Sequence, residues 1–227
     1  MKITFEGHAC FQLTSAAGFS ILLDPFITGN AAAVKKAADF KPQLILVSHG
    51  HGDHLGDALA IAKASGATLA GSADIWQALP TGGLKTIGFN MGGGIDFGEA
   101  HIIMTAAWHG SNIDGAYAGL ACGYIIQMEG KTVYFAGDTA LFGDMSTVLG
   151  RYDIDYALLP IGGYYTMGPD DAVTAAQWLR AKNVIPMHYN TFPVIKQDVW
   201  AFKTALEAKT ACRCLVLSPG EEIIAED

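Results

Sequence analysis

The sequence predicts a mixed α/β fold in one domain, with helices on the outside of a system of β-sheets. Two observations carry this prediction. Short apolar or alternating runs typical of strands occupy the N-terminal and middle parts of the chain, and strand-like and helix-like runs alternate over the last third. No linker, repeat or low-complexity segment interrupts the 227 residues, so we expect residues 1–227 to form a single domain.

The strands are predicted from apolar patterning. The continuous apolar run Leu44–Val47 is typical of a strand that is buried on both of its faces. Other runs alternate between apolar and polar residues, as a strand with one exposed face does. The predicted strands span residues 2–6, 10–14, 19–23, 44–47, 68–70, 85–89, 94–97, 101–106, 123–128, 132–135, 156–159, 183–187 and 214–217.

Four helices are predicted between these strands, over residues 57–65, 72–79, 170–181 and 198–208. In the first helix, Ala58, Ile61 and Ala62 fall on one side, and Gly66 follows as a C-terminal stop. Ser72 is a suitable N-terminal cap for the second helix. Helices that present one apolar side in this way belong outside the sheets, where that side can pack inward.

The bulk composition argues against several classes of function. The formal net charge of −8 disfavours a broad surface for DNA or RNA, and it disfavours docking on an anionic membrane. No segment approaches the ~18 consecutive apolar residues of a membrane span, and the chain does not start with an apolar stretch of signal-peptide length. We therefore expect a cytoplasmic protein whose four cysteines, Cys10, Cys122, Cys212 and Cys214, are reduced thiols.

One short segment carries most of the functional information: His49-Gly50-His51-Gly52-Asp53-His54. Imidazole and carboxylate groups are the ligands that suit zinc, manganese and ferrous iron. The intervening glycines allow the tight turns with which four such side chains can converge. A solvated polar loop would rarely concentrate three histidines and one aspartate in six residues, so the segment predicts a metal site.

Three more ligand-type residues follow predicted strands in the same way. His109, Asp138 and His188 each come within three residues of the end of an apolar strand, as His49 does. Because ligand sites in open α/β sheets collect at the carboxyl edge of the strands, we expect these side chains to meet at one edge. Each alone could be a hydrogen-bonded core residue or a helix cap, but their joint placement favours a binuclear metal site.

These motifs, in this order, resemble those of the metallo-β-lactamase superfamily. The signature His49-x-His51-x-Asp53-His54 is followed by matches at His109, Asp138 and His188, and Asp24 matches an early aspartate that supports the ligand loop in that family. Softer motifs are similar to those of uncharacterised metal-dependent hydrolases related to L-ascorbate-6-phosphate lactonase. These are Gly7-His8-Ala9-Cys10-Phe11, Pro160-Ile161-Gly162-Gly163, Met167-Gly168-Pro169 and Ser218-Pro219-Gly220-Glu221.

The resemblance implies a four-layer αββα sandwich and a hydrolytic enzyme. It implies one metal on His49, His51 and His109, a second on Asp53, His54 and His188, and Asp138 as a bridge between them. Two divalent ions, zinc first with manganese or iron as alternatives, would share a hydroxide that attacks a small ester, lactone or phosphodiester. Because two dications outweigh two carboxylates, an anionic small-molecule substrate is compatible with the acidic chain.

Further residues are candidates for contact with the substrate. Asp53 could orient the hydroxide, which makes it a candidate catalytic residue. His8, at the end of a predicted strand, is the second candidate, since it could bind substrate or give a proton to a leaving group; a simple hydrogen bond to nearby backbone is the equal alternative. Tyr164, Tyr165 and Met167 lie on a glycine-bounded loop, where pocket lining is favoured over loop packing.

Three other functions occur on the same fold. Diiron redox enzymes typically carry an acidic residue at the position of His51 together with a flavin domain, and neither is found in this sequence. An RNA-processing nuclease is disfavoured by the acidic balance and by the lack of a long insertion that could grip RNA. A non-catalytic metal-binding or sensory module is the remaining alternative, although decayed sites usually lose some of the seven ligand residues that are present here.

Overall fold

The computed structural model describes residues 1–225. Within them, the strands are β1 (Lys2–Gly7), β2 (Cys10–Thr14), β3 (Ser20–Leu23), β4 (Leu44–Val47), β5 (Thr68–Ser72), β6 (Thr86–Phe89), β7 (Gly94–Phe97), β8 (Ala100–Ala106), β9 (Asn112–Ile113), β10 (Ala116–Tyr117), β11 (Cys122–Met128), β12 (Lys131–Phe135), β13 (Tyr156–Pro160), β14 (Asn183–Met187), β15 (Arg213–Cys214) and β16 (Glu222–Ile224). The helices are α1 (Gly52–Leu55), α2 (Ala58–Ser65), α3 (Ala73–Ala78), α4 (Asp144–Thr147), α5 (Pro169–Leu179) and α6 (Val199–Lys209).

The strands form two large sheets with matching arrangements. The first sheet has the order β16-β1-β2-β3-β4-β5-β6, and the second has the order β15-β14-β13-β12-β11-β8-β7. In the first, pairing changes from antiparallel at β2/β3 to parallel at β3/β4. In the second, it changes from antiparallel at β11/β12 to parallel at β12/β13. Strands β9 and β10 form a separate hairpin.

Side chains that alternate along the strands fill the space on both sides of each sheet. In β4, Leu44 and Leu46 enter the core between the two sheets, while Ile45 and Val47 pack on the opposite side with α2 and α3. The outer side of the second sheet packs against α5 and α6. The result is the four-layer αββα sandwich that the resemblance implied, so the predicted fold class is confirmed.

Several short elements differ from the sequence prediction. Strand β15 ends at Cys214 and does not continue to Leu217, although the backbone N–H of Leu215 still donates to Val184 O. Strand β16 was not predicted, because its three residues are too few to show an apolar pattern; it pairs antiparallel with β1. Helix α5 begins at Pro169, where the ring fits the first helical position, and ends before Arg180 at a positive φ of 53°.

The strand ends that matter most for function lie at one edge of the sandwich. The backbone N–H of His188, directly after β14, donates to the carbonyl of His8, directly after β1, at 2.8 Å. This hydrogen bond joins the two sheets at that edge. Both residues adopt positive φ, 59° at His8 and 54° at His188, a conformation that costs about 1–3 kcal/mol in non-glycine residues. Such strain persists only where the surroundings hold it, and it often marks functional sites.

None of the helices within residues 1–225 has the length and apolar character that crossing a membrane requires.

Candidate metal centre

The structure brings all seven predicted ligand residues together at this edge. The first sheet contributes four of them through the loop and short helix α1 that follow β4. The second sheet contributes the other three from the segments after β8, β12 and β14. The first-sheet residues are His49, His51, Asp53 and His54, and the second-sheet residues are His109, Asp138 and His188.

Three imidazoles form the first cluster. His49 Nε2 lies 2.9 Å from His51 Nδ1, and His51 Nδ1 lies 3.3 Å from His109 Nε2. The three ligand-type nitrogens all lie within 4.8 Å of one another. Nitrogen lone pairs this close repel unless a proton or a cation lies between them, so the cluster has the form of a cation site.

The second cluster is centred on Asp53. Its Oδ2 lies 3.7 Å from His188 Nε2 and 3.9 Å from His54 Nε2. His8 joins this cluster, with Nε2 3.2 Å from the same carboxylate oxygen. His8 is 1% exposed and is not among the residues that line the adjoining cavity, so it stands behind Asp53 and not on the cavity surface.

Asp138 lies between the two clusters. Its Oδ2 is 3.6 Å from His109 Nε2 in the first cluster, 3.3 Å from His54 Nε2 and 3.1 Å from His188 Nε2 in the second. One carboxylate oxygen thus faces imidazole nitrogens of both clusters. This is the placement expected of a group that contacts two cations at once.

Several buried polar atoms in the centre have no hydrogen-bond partner. They are His54 Nε2, Asp138 Oδ1 and both ring nitrogens of His188. Buried polar atoms without a partner are rare in folded proteins, because burial removes their hydrogen bonds to water and no other hydrogen bond replaces them. A divalent cation would give His54 Nε2 and His188 Nε2 a partner, so the residues of the centre fit a metal.

Hydrogen bonds behind the centre determine which ring nitrogens face it. Asp24, which is fully buried, accepts from the Ser48 N–H and hydroxyl and from His54 Nδ1, the last at 2.7 Å. The Ser48 oxygen in turn accepts from His49 Nδ1 at 2.9 Å. With the Nδ1 protons used in this way, the Nε2 atoms of His49 and His54 present lone pairs to the centre. Asp24 therefore supports the ligand loop, as the resemblance implied.

Two supporting residues were missed by the sequence prediction. Asn112 Nδ2 lies 2.9 Å from His51 Nε2, and the Thr191 hydroxyl lies 2.5 Å from His8 Nδ1. Each contact fixes a ring that would otherwise rotate. Neither residue has a spacing signal in the sequence, since Thr191 and His8 are 183 positions apart.

The pKa values of the buried histidines in the centre are shifted in different directions. Burial alone would lower the pKa of His54 and His188, but the Asp138 carboxylate outweighs it; the pKa of His188 rises to about 9 and that of His54 rises well above its usual value. Burial dominates at His49 and His109, and lowers the pKa of both. Burial also lowers the pKa of His8, to about 4.

The two aspartates of the centre are held ionised. Burial would raise the pKa of Asp53, but the neighbouring His188 and His8 rings outweigh it and lower that pKa. Burial would likewise raise the pKa of Asp138, which the charges of His54 and His188 bring well below its usual value. Both groups therefore offer carboxylate oxygens to a cation at neutral pH.

A cavity of about 570 Å³ opens onto the centre. This volume is in the range of small-molecule sites. Its lining includes Tyr165 but not Tyr164, which packs against Tyr165 and is 66% exposed. Met167 is buried in the outer core of the second sheet, so the expectation that it lines the pocket is wrong and it packs the loop instead. The lining residues are Phe26, His51, Asp53, His109, Asp138, Tyr165, His188, Phe192 and Val194.

Most of the chain matches the model of a known protein family. Residues 2–188 match the family model described as the Beta-lactamase superfamily domain. The chain belongs to the β-lactamase superfamily. The match covers the strand ends that supply all seven ligand residues.

Individual relatives and solved structures are similar to this chain over nearly its whole length. A UPF0173 metal-dependent hydrolase from Pelotomaculum thermopropionicum is 47% identical, with 98% of this chain and 99% of that protein covered. The structure of Igni18, a metallo hydrolase from Ignicoccus hospitalis, is 38% identical with a TM-score of 0.90, and covers 98% and 97% of the two chains. The metallo-β-lactamase fold protein YhfI from Bacillus subtilis, at 16% identity and a TM-score of 0.77 over 98% and 99%, shows the fold.

These comparisons confirm the resemblance stated from the motifs. This β-lactamase superfamily member is an enzyme of the metal-dependent hydrolase class, as its motifs indicated. Its candidate metal centre brings together residues from both sheets, which explains why the motifs are spread over most of the chain.

Proposed function

We propose that this protein is a hydrolase that uses two divalent metal ions to cleave a small ester, lactone or phosphodiester. The observation that carries the proposal is the position of Asp138 Oδ2, which lies 3.1, 3.3 and 3.6 Å from three imidazole nitrogens of the two clusters. A carboxylate shared by two sets of ligand-type atoms supports a binuclear site over a single-ion site.

The ligand sets follow from the clusters. His49, His51 and His109 would hold one ion, and Asp53, His54 and His188 the other, with Asp138 between them. Imidazole and carboxylate suit zinc first, and manganese or iron as alternatives. When bound, such ions supply an activated water near neutral pH and stabilise negative charge on the substrate oxygen.

Asp53 is the residue that we propose orients the attacking water. It lines the cavity with a side chain that is 27% exposed, and its carboxylate is ionised. His8 holds that carboxylate in place, because its Nε2–H donates to Asp53 Oδ2 at 3.2 Å while Thr191 donates to its Nδ1. In this role His8 is a positioning residue, since it is buried behind Asp53 and does not reach the cavity surface.

We also propose a small molecule as the substrate, with neither nucleic acid nor membrane as a partner, in the cytoplasm. The net charge of −8 and the cavity size support this choice. The lining described above contains the ligand-type residues themselves, so a substrate that enters the cavity meets the centre directly.

Metal analysis and a small substrate panel test the proposal together. Purified protein from metal-replete medium should hold up to two divalent ions per chain, and it should hydrolyse at least one of a set of chromogenic esters, lactones and phosphodiesters. Chelation should abolish turnover and added metal should restore it. Asp53→Asn should lower kcat by about 100-fold, the size typical of a lost orienting or proton-accepting group. Turnover that survives complete metal removal would show that the mechanism is wrong.

A further inference from the structure

We propose that the substrate carries an uncharged, apolar group that packs against one wall of the cavity. This inference rests on the proposed hydrolase function and narrows its substrate class. Four of the nine lining residues form what we call the apolar wall: Phe26, Tyr165, Phe192 and Val194. The other five are the ligand-type residues of the metal centre.

The deep part of the apolar wall is held by ring contacts and hydrogen bonds. The rings of Phe26 and Phe192 lie with their centroids 6.4 Å apart, and both make edge contacts with the ring of His8, at 5.6 and 5.3 Å. The segment that carries Phe26 is held by the Asp57 carboxylate, which accepts from the N–H groups of Ile27 and Thr28. An apolar surface that is fixed before binding costs little entropy when a ligand covers it.

The outer part of the apolar wall is exposed. Tyr165 is 55% exposed and Val194 is 50% exposed, on the loops that follow β13 and β14. The Tyr165 loop is closed by a hydrogen bond from Gly163 N–H to Met167 O and tied to the next loop by Gln197, whose side-chain amide donates to Gly162 O. Ordered loops therefore hold apolar side chains in water at the mouth of the cavity, where a substrate can cover them.

Along the apolar wall, away from the metal centre, the same cavity offers little to a charged or hydroxyl-rich group. None of the nine described lining residues is a lysine or an arginine. Once the ligand-type residues hold metal, the Tyr165 hydroxyl is the one side-chain polar group of the lining that is left to pair with substrate. A charge buried against Phe26 and Phe192 would lose its water without gaining a partner, which is unfavourable. Neutral esters and lactones with an apolar chain or ring therefore fit better than sugar phosphates or dicarboxylates.

A series of matched esters tests the inference. The metal-loaded protein is assayed with the 4-nitrophenyl esters of acetic, butyric and hexanoic acid, and with the mono-ester of adipic acid, which has the length of the hexanoate and a terminal carboxylate. We expect kcat/KM to rise along the neutral series by about fourfold for each methylene that becomes buried. We expect the hexanoate to exceed the adipate by at least about tenfold. A flat series, or a preference for the adipate, would overturn the inference.

Two variants assign the effect to the apolar wall. Phe192→Ala should lower the hexanoate-to-acetate ratio of kcat/KM several-fold, whereas Trp200→Ala, an aromatic that is 63% exposed on α6, should leave this ratio unchanged. The ratio is diagnostic because an indirect effect through His8 would act on both esters alike.

A second pair of variants introduces a positive charge at an exposed valine. Val194→Lys, in the cavity lining, should shift the preference toward the adipate, whereas Val148→Lys, outside the cavity lining, should not. Unchanged ratios in Phe192→Ala and Val194→Lys would overturn the inference.

A binding measurement separates this inference from the proposed function. If metal-loaded protein hydrolyses none of the compounds, the proposed ester chemistry is wrong, and the wall is then tested with ligands that do not react. By calorimetry, 4-phenylbutyramide should bind and its para-carboxylate should bind at least about tenfold more weakly, with the difference reduced in Val194→Lys. Equal affinities for the two amides, or binding of neither, would overturn the inference whatever the outcome of the hydrolysis assay.

Discussion

Four histidines of the candidate metal centre have pKa values that are shifted in opposite directions. Burial would lower the pKa of His54 and His188, but the nearby Asp138 carboxylate outweighs it, so the pKa of His188 rises to about 9 and that of His54 rises well above its usual value. At His49 and His109 the effect of burial dominates and lowers the pKa of both rings. Because a metal ion displaces the protons of its ligands, the two pairs of histidines should differ in the protons that they release when metal binds.

We expect the two ions to differ in the protons that they displace. At pH 7, metal binding to His54 and His188, whose pKa values are raised, should release more protons than metal binding to His49 and His109, whose pKa values are lowered. Below pH 7 the affinity of the second ion should fall, and it should rise with pH until His188 has titrated, near 9. Calorimetry in buffers of different ionisation enthalpy counts the protons. Zinc binding without proton release at pH 7 would contradict this assignment.

Asp138 and His8 should differ strongly in their effect on metal binding. Asp138 lies within 3.6 Å of nitrogens in both clusters, so Asp138→Ala should weaken metal affinity by more than about 100-fold. His8→Ala should weaken it by about tenfold or less, because His8 supports Asp53 from behind. Chelator competition on the folded variants measures both values, with the exposed Asp96→Ala as control. An equal loss in His8→Ala would identify His8 as a ligand.

The residues of this centre were predictable to different degrees. The convergence of the seven ligand-type residues could be predicted because the segments that carry them follow apolar strands, and a sheet brings such strand ends to one edge. Thr191 and Asn112 could not, because their contacts with His8 and His51 exist only after distant loops meet. The placement of His8 behind Asp53 is of the same kind, since it depends on a hydrogen bond between the ends of β1 and β14.

Local patterns specify the elements of this fold well where they are long. Strand β4 and helices α2 and α6 were predicted within a few residues, because an apolar run or an apolar side of a helix reflects burial directly. Short elements such as β16 and α1 lack enough residues to form a period. Their structure comes from neighbours: β16 from pairing with β1, and α1 from the turns around the ligand loop.

Two glycines at the ends of α1 test how closely the ligand loop packs against the segment that contains Pro25 and Phe26. Gly56, which follows α1, has a φ of 41°, and a Cβ added there would lie 2.8 Å from Phe26 Cα and against the Pro25 carbonyl. Gly56→Ala should therefore destabilise the protein by roughly 2–4 kcal/mol through strain and overlap. Gly52, in the same helix, has no atom within 4 Å of an added Cβ, so Gly52→Ala should stay within about 0.5 kcal/mol. Urea unfolding of the metal-free variants measures both; equal stabilities would contradict the described loop.

At the scale of the whole molecule, the metal centre connects the two sheets. His49, His51, Asp53 and His54 follow a strand of the first sheet, while the other ligand residues follow strands of the second. Between the sheets lies a shared apolar core, and at this edge the polar groups replace it. Among the described residues, this edge holds more buried side-chain N and O atoms without a hydrogen-bond partner than any other part of the interface between the sheets. A cation would give the nitrogens among them a partner.

Metal binding should therefore stabilise the whole fold and not only the ligand loop. At a free ion concentration of about 1,000 times Kd, a single site adds about 4 kcal/mol to the free energy of unfolding, if the unfolded chain does not bind. For a chain of this size each kcal/mol raises Tm by about 2–4 °C, so one ion should raise it by roughly 8–16 °C. Calorimetric scans with zinc and with chelator measure the shift, and Asp138→Ala should lose most of it. A shift below about 2 °C at this ion concentration would contradict the prediction. Zinc titration of the urea-unfolded protein then measures whether the unfolded chain binds the ions as well as the folded chain does.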